Sequence, residues 1–216
     1  GVRSAGGVLG VPLSRDISGR FAILIEGRPE PPFEERPVPG YQIVSPEYFR
    51  TMGIPLLRGR DFASRDNRER PGVVIINQTM AHSLWPGENP VGARISFNGE
   101  SWIEIIGIVG DVHHDNLTEN PRQELYLPYA QSTLPFMTFV VKTESDPLAL
   151  APAVRTQVRE IDKNLPVFGA RTLEQTLRDS VARPRFQVLL LGLFAAVALI
   201  LAVTGIYGLL AYFVSR

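Results

Sequence analysis

The segment Asp111-Val112-His113-His114-Asp115 gathers the chain's one cluster of side chains able to hold a metal. Adjacent histidines in an extended strand point to opposite faces, so His113 and His114 cannot share an ion without a bulge, whereas Asp111 with His113, or His113 with Asp115, would lie on one face. The third histidine, His82, falls in a predicted helix with no ligand beside it in sequence. A structural or solvated turn is therefore the better reading of 111–115, and no metal ligand, catalytic residue or cofactor-binding residue is assigned. The lack of any cysteine removes disulfides, thiolate nucleophiles and zinc-thiolate sites together. No Gly-x-Ser-x-Gly turn is present, and Ile17-Ser18-Gly19 is only a turn. No Gly-x-x-x-x-Gly-Lys-Ser/Thr loop occurs either, and Gly107-Ile108-Val109-Gly110 sits inside a strand-like run instead of opening a helix. Trp85 and Trp102 lie in apolar patterns and read as core. The arginines of the loop Arg65 to Arg70 alternate with acids and read as a solvated loop.

The elements that would position these groups are punctuated by turn and cap residues. An apolar run, 21–25, precedes the stretch 27–40, where five prolines remove backbone donors and favour an extended loop. Residues 41–44 form the returning strand. Ser45, Pro46 and Glu47 predict a short helix start with serine at the N-cap, closed by Gly53. Residues 73–76 read as a buried strand running into Asn77, an N-cap for a helix over 78–85. Asn98-Gly99 predicts a hairpin between strands at 93–97 and 102–109, and 125–129 is a further strand. Beyond it the pattern is strand 137–143, a helix capped by Asp146 to about Asp162, strand 167–170, and a helix opened by the capping box Thr172-Leu173-Glu174-Gln175.

The end of the chain is different material. From Phe186 to Ser215 there is no charged side chain, and 188–203 is apolar throughout. A hydrocarbon core of roughly 30 Å needs about 20 such residues in a helix, so 186–214 is expected to span a membrane. A buried soluble helix of that length would keep a polar face. Within it Gly192 with Ala196, Ala198 with Ala202, and Thr204 with Gly208 have the four-residue spacing that lets helices pack closely in lipid. Alanine-rich spans also produce such pairs by chance, and both readings stand. All 22 acidic residues and all but one of the 22 basic ones precede Phe186. That part is nearly neutral, so no strong field points to nucleic acid. The chain starts at Gly1 without methionine, and a longer parent protein is expected.

Four separated motifs in order carry a family resemblance: Val44-Ser-Pro-Glu-Tyr-Phe-Arg-Thr-Met-Gly-Ile-Pro-Leu-Leu-Arg-Gly-Arg-Asp-Phe62; Val73-Val-Ile-Ile-Asn77 with Leu84-Trp-Pro-Gly-Glu-Asn-Pro-Val-Gly92; Ile106-Gly-Ile-Val-Gly-Asp-Val-His113; and Leu125-Tyr-Leu-Pro-Tyr129. They resemble the periplasmic core domain of MacB-like ABC transporter permeases, and 173–216 is similar to the entry of their FtsX-like membrane domain. The resemblance implies an α+β fold of two lobes: a ferredoxin-like lobe from 1–50 and 134–182, and an inserted α+β lobe from 51–133. It implies a permease subunit, not an enzyme, with 1–185 outside the bacterial inner (plasma) membrane. The implied partners are a separate ATP-binding subunit, a second permease in a homodimer or pseudo-dimer, membrane lipid and a periplasmic adaptor. The implied work is mechanotransmission, in which ATP-driven movement of the spans opens and closes the outer domain for export, efflux or envelope function. The junction 182–187 has no flexible linker and is expected to act as a stiff lever. A tail-anchored binding domain in the cytoplasm is the alternative; further spans encoded on both sides support the permease, and a stop codon near Arg216 would reject it. Arg183 and Arg185 against Arg216 do not orient the span by charge, so its orientation rests on the resemblance.

Overall fold

The computed structural model describes residues 1–11, 19–112, 121–132, 136–178, 191–192, 194–195 and 197–206, which fall into two units, 1–170 and 171–216. In the first, ten strands form one mixed sheet: β1 (Val2–Val8), β2 (Gly19–Arg20), β3 (Leu24–Ile25), β4 (Gly40–Val44), β5 (Leu56–Gly59), β6 (Val73–Asn77), β7 (Arg94–Ser96), β8 (Trp102–Val109), β9 (Glu124–Pro128) and β10 (Thr138–Thr143). Among the described residues its α-helices are α1 (Tyr48–Met52), α2 (Gln78–Leu84) and α3 (Ala151–Ile161).

The order across the sheet is β10-β1-β4-β9-β6-β8-β7-β3, with β2 on β4 and β5 on β8. β6 sits inside, parallel to β8 and antiparallel to β9, and all five of its residues are buried. A strand covered on both faces must be apolar at every position, and Val73-Val74-Ile75-Ile76 meets that demand. Val73 and Ile75 face one core with Val8, Val44, Tyr48, Phe49, Ile106 and Tyr126. Val74 and Ile76 face a second with Ile23, Met80, Trp85, Ile95, Ile105 and Leu125. Phe21 stacks on Tyr41 of β4 with centroids 5.0 Å apart and meets Phe97, just past β7, at 6.0 Å. The sheet thus curls, bringing its β7 end back toward β4.

Strict alternation would place Ile105 and Ile108 on opposite faces, yet both belong to the second core. The register slips between Val74–Ile105 and Ile75–Gly107, a bulge that resets the parity of β8. The same point is where β5 crosses closest: Gly59, at φ +75°, pairs with Gly107, and the Arg60 amide donates to the Ile106 carbonyl at 2.9 Å. A Cβ on Gly107 would stand 2.5 Å from the Arg60 carbonyl oxygen, and one on Gly59 2.2 Å from that of Ile106. Neither obstacle is a side chain able to rotate away.

Several expectations hold. Asn77 caps α2, its Oδ1 accepting from the Met80 amide at 3.0 Å. The Asn98-Gly99 hairpin joins antiparallel β7 and β8. The capping box at Thr172 forms in both directions, with Gln175 N to Thr172 Oγ1 at 3.1 Å and Thr172 N to Gln175 Oε1 at 3.2 Å. Gly107 lies in a strand, as read.

Others are corrected. Of the 21–25 run only Leu24–Ile25 is strand, β3, which pairs with β7, whereas β2 lies before the run and pairs with β4. Ser45 does not cap α1: its Oγ accepts from the Gly7 amide at 2.7 Å, Glu47 takes the cap position at φ 69°, and α1 begins at Tyr48. Residues 56–59, which carry no strand signal in the sequence, form strand β5. Residues 167–170 are not a strand; Gly169 has φ +59° and Phe168 is 84% exposed, so no ladder continues there. Strands from 1–50 and from 51–133 share the sheet, β4 being hydrogen-bonded in parallel to β9.

In the second unit the described residues of 173–178 and 191–206 are helical, and the described large apolar side chains of 191–206 are exposed, from Leu191 to Ile206. Among the described residues no helix is long and apolar enough to cross a membrane, and the rest of the expected span, 186–190 and 207–214, lies outside them.

Replacing Gly107 with alanine should destabilise the first unit by about 1–3 kcal/mol, because backbone must shift to admit the methyl group. Chemical denaturation of the 216-residue chain in neutral detergent measures this, and a midpoint equal to that of the unsubstituted chain contradicts it.

Candidate functional site

Asp111 meets the first turn of α2. Its Oδ1 accepts from the Thr79 amide at 2.9 Å and its Oδ2 from the Thr79 hydroxyl at 2.9 Å. Asn77 occupies the adjacent Met80 amide, accepts from the Glu124 amide at 3.0 Å, and donates through Nδ2 to the Arg122 carbonyl at 2.7 Å. The amides that make a helix start attractive to an anion are thereby taken by side chains of the protein itself. His113, His114 and Asp115 lie outside the described residues, and His82 is exposed on α2. No group of three His, Cys, Asp or Glu side chains able to hold a metal occurs among the described residues.

Beside this cap lies a buried polar network. Tyr126 is fully buried and donates to Glu124 Oε2 at 2.6 Å. Burial, then the charge of Glu124, pushes the Tyr126 phenol well above its ordinary range. Tyr48 is buried nearby, its hydroxyl without a hydrogen-bond partner among the described residues, and burial and Glu124 push its phenol up too. Phenols held this firmly protonated donate hydrogen bonds and do not serve as bases near neutral pH.

The charged loop is built around an acid that sequence reading left in solvent. Asp66 is 4% exposed. Arg60 grips it with Nη1 to Oδ2 at 2.7 Å and Nη2 to Oδ1 at 2.8 Å, and the Ala63 amide adds a bond at 2.8 Å. The spacing Arg60 to Asp66 across a six-residue loop was the available signal, masked by the alternating charges at 65–70. Arg65, Arg68 and Arg70 are exposed, as expected. Trp85 is core, with the Arg28 guanidinium 5.4 Å from its ring centroid, and Trp102 is half-buried. Of the small-residue pairs, Ala196 and Gly208 lie outside the described residues, as does the junction 182–187; Gly192, Ala198, Ala202 and Thr204 are exposed on their helix.

A surface of another kind remains on α3. Not one residue of this helix is buried, although Val154, Val158 and Ile161 recur on one side. Arg155 and Arg159 follow one turn apart along the border of that stripe, and Lys163 continues the line past the helix end. With Asn164, Leu165, Pro166 and Val167 these three cations line an open cleft of about 300 Å³.

The family model described as "MacB-like periplasmic core domain" matches residues 12–161. Two curated relatives, each named "Macrolide export ATP-binding/permease protein MacB", from Mannheimia succiniciproducens and from Aggregatibacter actinomycetemcomitans, are each 22% identical over 178 residues, 77% of this chain. The chain spans 27% of the length of each. The crystal structure of the periplasmic region of MacB from Actinobacillus actinomycetemcomitans superposes with a TM-score of 0.51 at 15% identity, covering 74% of this chain and 67% of that one. At that identity the likeness is one of fold.

Arg60 holds the Asp66 carboxyl below its ordinary value near 3.8. A depressed folded value means stability fully present above the unfolded value and lost as pH falls through the folded one. Unfolding free energy should therefore drop below about pH 4, and Asp66→Asn should remove this part of the slope at a cost of about 2 kcal/mol at neutral pH. Denaturation curves at stepped pH measure both. Asp111→Ala should cost about 1 kcal/mol and speed hydrogen exchange at the Thr79 amide, while leaving β10 unaffected.

Proposed function

Because this chain belongs to the family of MacB-like periplasmic core domains, we propose that it is the extracytoplasmic element of an ABC transporter permease, coupling ATP-driven movement of membrane helices to export. The observation that carries the proposal is the match over 12–161 in a chain whose polar clusters are committed to holding the fold. A domain of this construction transmits force: its curled sheet is stiffened by two cores and by buried polar clamps, not organised around a reacting centre.

The topology proposed with this reading places 1–185 outside the inner membrane and 186–214 across it. Supporting it are the uncharged sequence of that stretch and the outward-facing apolar side chains of 191–206, which in water would be left without a covering. Residues 1–50 with 134–182 are proposed to move as one lobe and 51–133 as the other, the shared sheet acting as the hinge. An ATP-binding component, on a separate subunit, supplies the energy, and a second permease completes the pair. Within this scheme 182–187 is the lever, since a helix entering lipid without a flexible tether carries tilt from one medium to the other.

A short glycine insertion after Arg183 should leave ATP hydrolysis intact in the full-length reconstituted transporter. It should abolish the nucleotide-dependent change in distance between spin labels placed at Ser64 of the two permeases. A distance change that survives the insertion would sink the lever.

A further inference from the structure

The cleft on α3 has no role in the reading above, and its chemistry is specific enough to name a ligand. Arg155, Arg159 and Lys163 stand at intervals of four along one line, and none has a carboxylate or other hydrogen-bond partner among the described residues. The nearby acids are committed elsewhere. Glu160 accepts from Gln157 Nε2 at 3.0 Å, and Asp162 accepts from the Asn164 amide at 2.8 Å. The dipole of the helix C-terminus balances about half a charge, which leaves most of three cations uncompensated.

The apolar side is equally unfinished. Val154 and Val158 run beside the arginines, Ile161 is 83% exposed, and Leu165 and Phe168 continue the exposed apolar side chains beyond the helix. A line of cations bordering an apolar stripe on one helix is the pattern that lies at a phospholipid surface, apolar side among acyl chains and basic heads on the phosphates. A free phosphate would satisfy only the cations, and a protein partner with an acidic rim would leave three long basic stems to be ordered at higher entropic cost.

We propose that this cleft binds an anionic phospholipid, with Arg155, Arg159 and Lys163 on the headgroup phosphate and Val154, Val158, Ile161, Leu165 and Phe168 against the chains. The site follows from α3 and the residues just past its end, and stands whether or not the chain acts in a transporter. Its recognition is by charge, so a zwitterionic lipid of the same chain length binds less tightly and added salt weakens the anionic one.

The test titrates the 216-residue chain in neutral detergent with short-chain phosphatidylglycerol, with phosphatidylcholine of the same chain length and inorganic phosphate as the other arms. Saturable phosphatidylglycerol binding is expected, falling roughly thirtyfold in the double variant Arg155→Gln with Arg159→Gln. These residues are exposed, so helix content by circular dichroism should not change. Ile161→Ser with Phe168→Ser should weaken phosphatidylglycerol and leave any binding of phosphate as it was. Undiminished phosphatidylglycerol binding by the arginine variant overturns the proposal. So does inorganic phosphate that competes at equal concentration, which would make the cleft a free-anion site, or a dimer that the arginine variant dissociates, which would give this face to a second copy of the chain.

Discussion

Strand β8 supplies apolar side chains to two cores, and the extra residue at Ile106–Gly107 is what lets Ile105 and Ile108 share one of them and Ile106 and Val109 the other. Without the bulge, Ile105 and Ile108 would point opposite ways, and one would leave the core that contains α2. The bulge also brings the β8 backbone against β5, where only Gly59 and Gly107 leave room. From that contact Arg60 emerges with its amide on the Ile106 carbonyl and its guanidinium aimed back at Asp66. One irregularity in a strand thus sets the parity of a core, the packing of an edge and the anchor of a charged loop.

The polar interior extends the same economy. Asn77 closes β6, opens α2 and holds β9 through Glu124 and Arg122, so a single amide side chain fixes three elements. Asp111, carried on from the end of β8, secures the next amide of that helix. Buried hydrogen bonds of this kind add little net energy each, yet any one left unmade costs more than it contributes. The cluster therefore resists sliding of α2 along the sheet more than it raises overall stability.

Elements with strong local signals were legible in the sequence. Asn77, the Asn98-Gly99 turn and the Thr172 capping box carry their instructions within three or four residues, and each forms as read. What failed depends on partners distant in sequence. Ser45 has a good N-cap composition, but the Gly7 amide 38 residues away claims its hydroxyl. Residues 56–59 are exposed on a strand with little apolar alternation, and only β8 makes them a strand. Residues 167–170 have strand composition without a neighbour to pair with. Asp66 looked solvated because burial of a charge is decided by the chain that folds over it. At Asp111 only ligand spacing can be judged from sequence, whereas the structure shows both carboxylate oxygens accepting from Thr79, 32 residues away.

The two ends of the first unit's architecture differ in how completely they satisfy themselves. Around β6 every large apolar side chain finds a core, and the buried acids Asp66 and Glu124 have partners. On α3 neither the apolar stripe nor the cations do. A helix of eleven residues with no buried face gains little from packing, and short helices in water are marginal on propensity alone. Selection for stability has no use for Val154, Val158 and Ile161 in that register, since polar residues would solvate better at the same helix propensity. Their periodicity is explained only by an apolar neighbour, and the adjoining arginines require that neighbour to be negatively charged at its rim. An anionic phospholipid, the ligand proposed for the cleft, answers both the exposed stripe and the cations that lack a partner among the described residues.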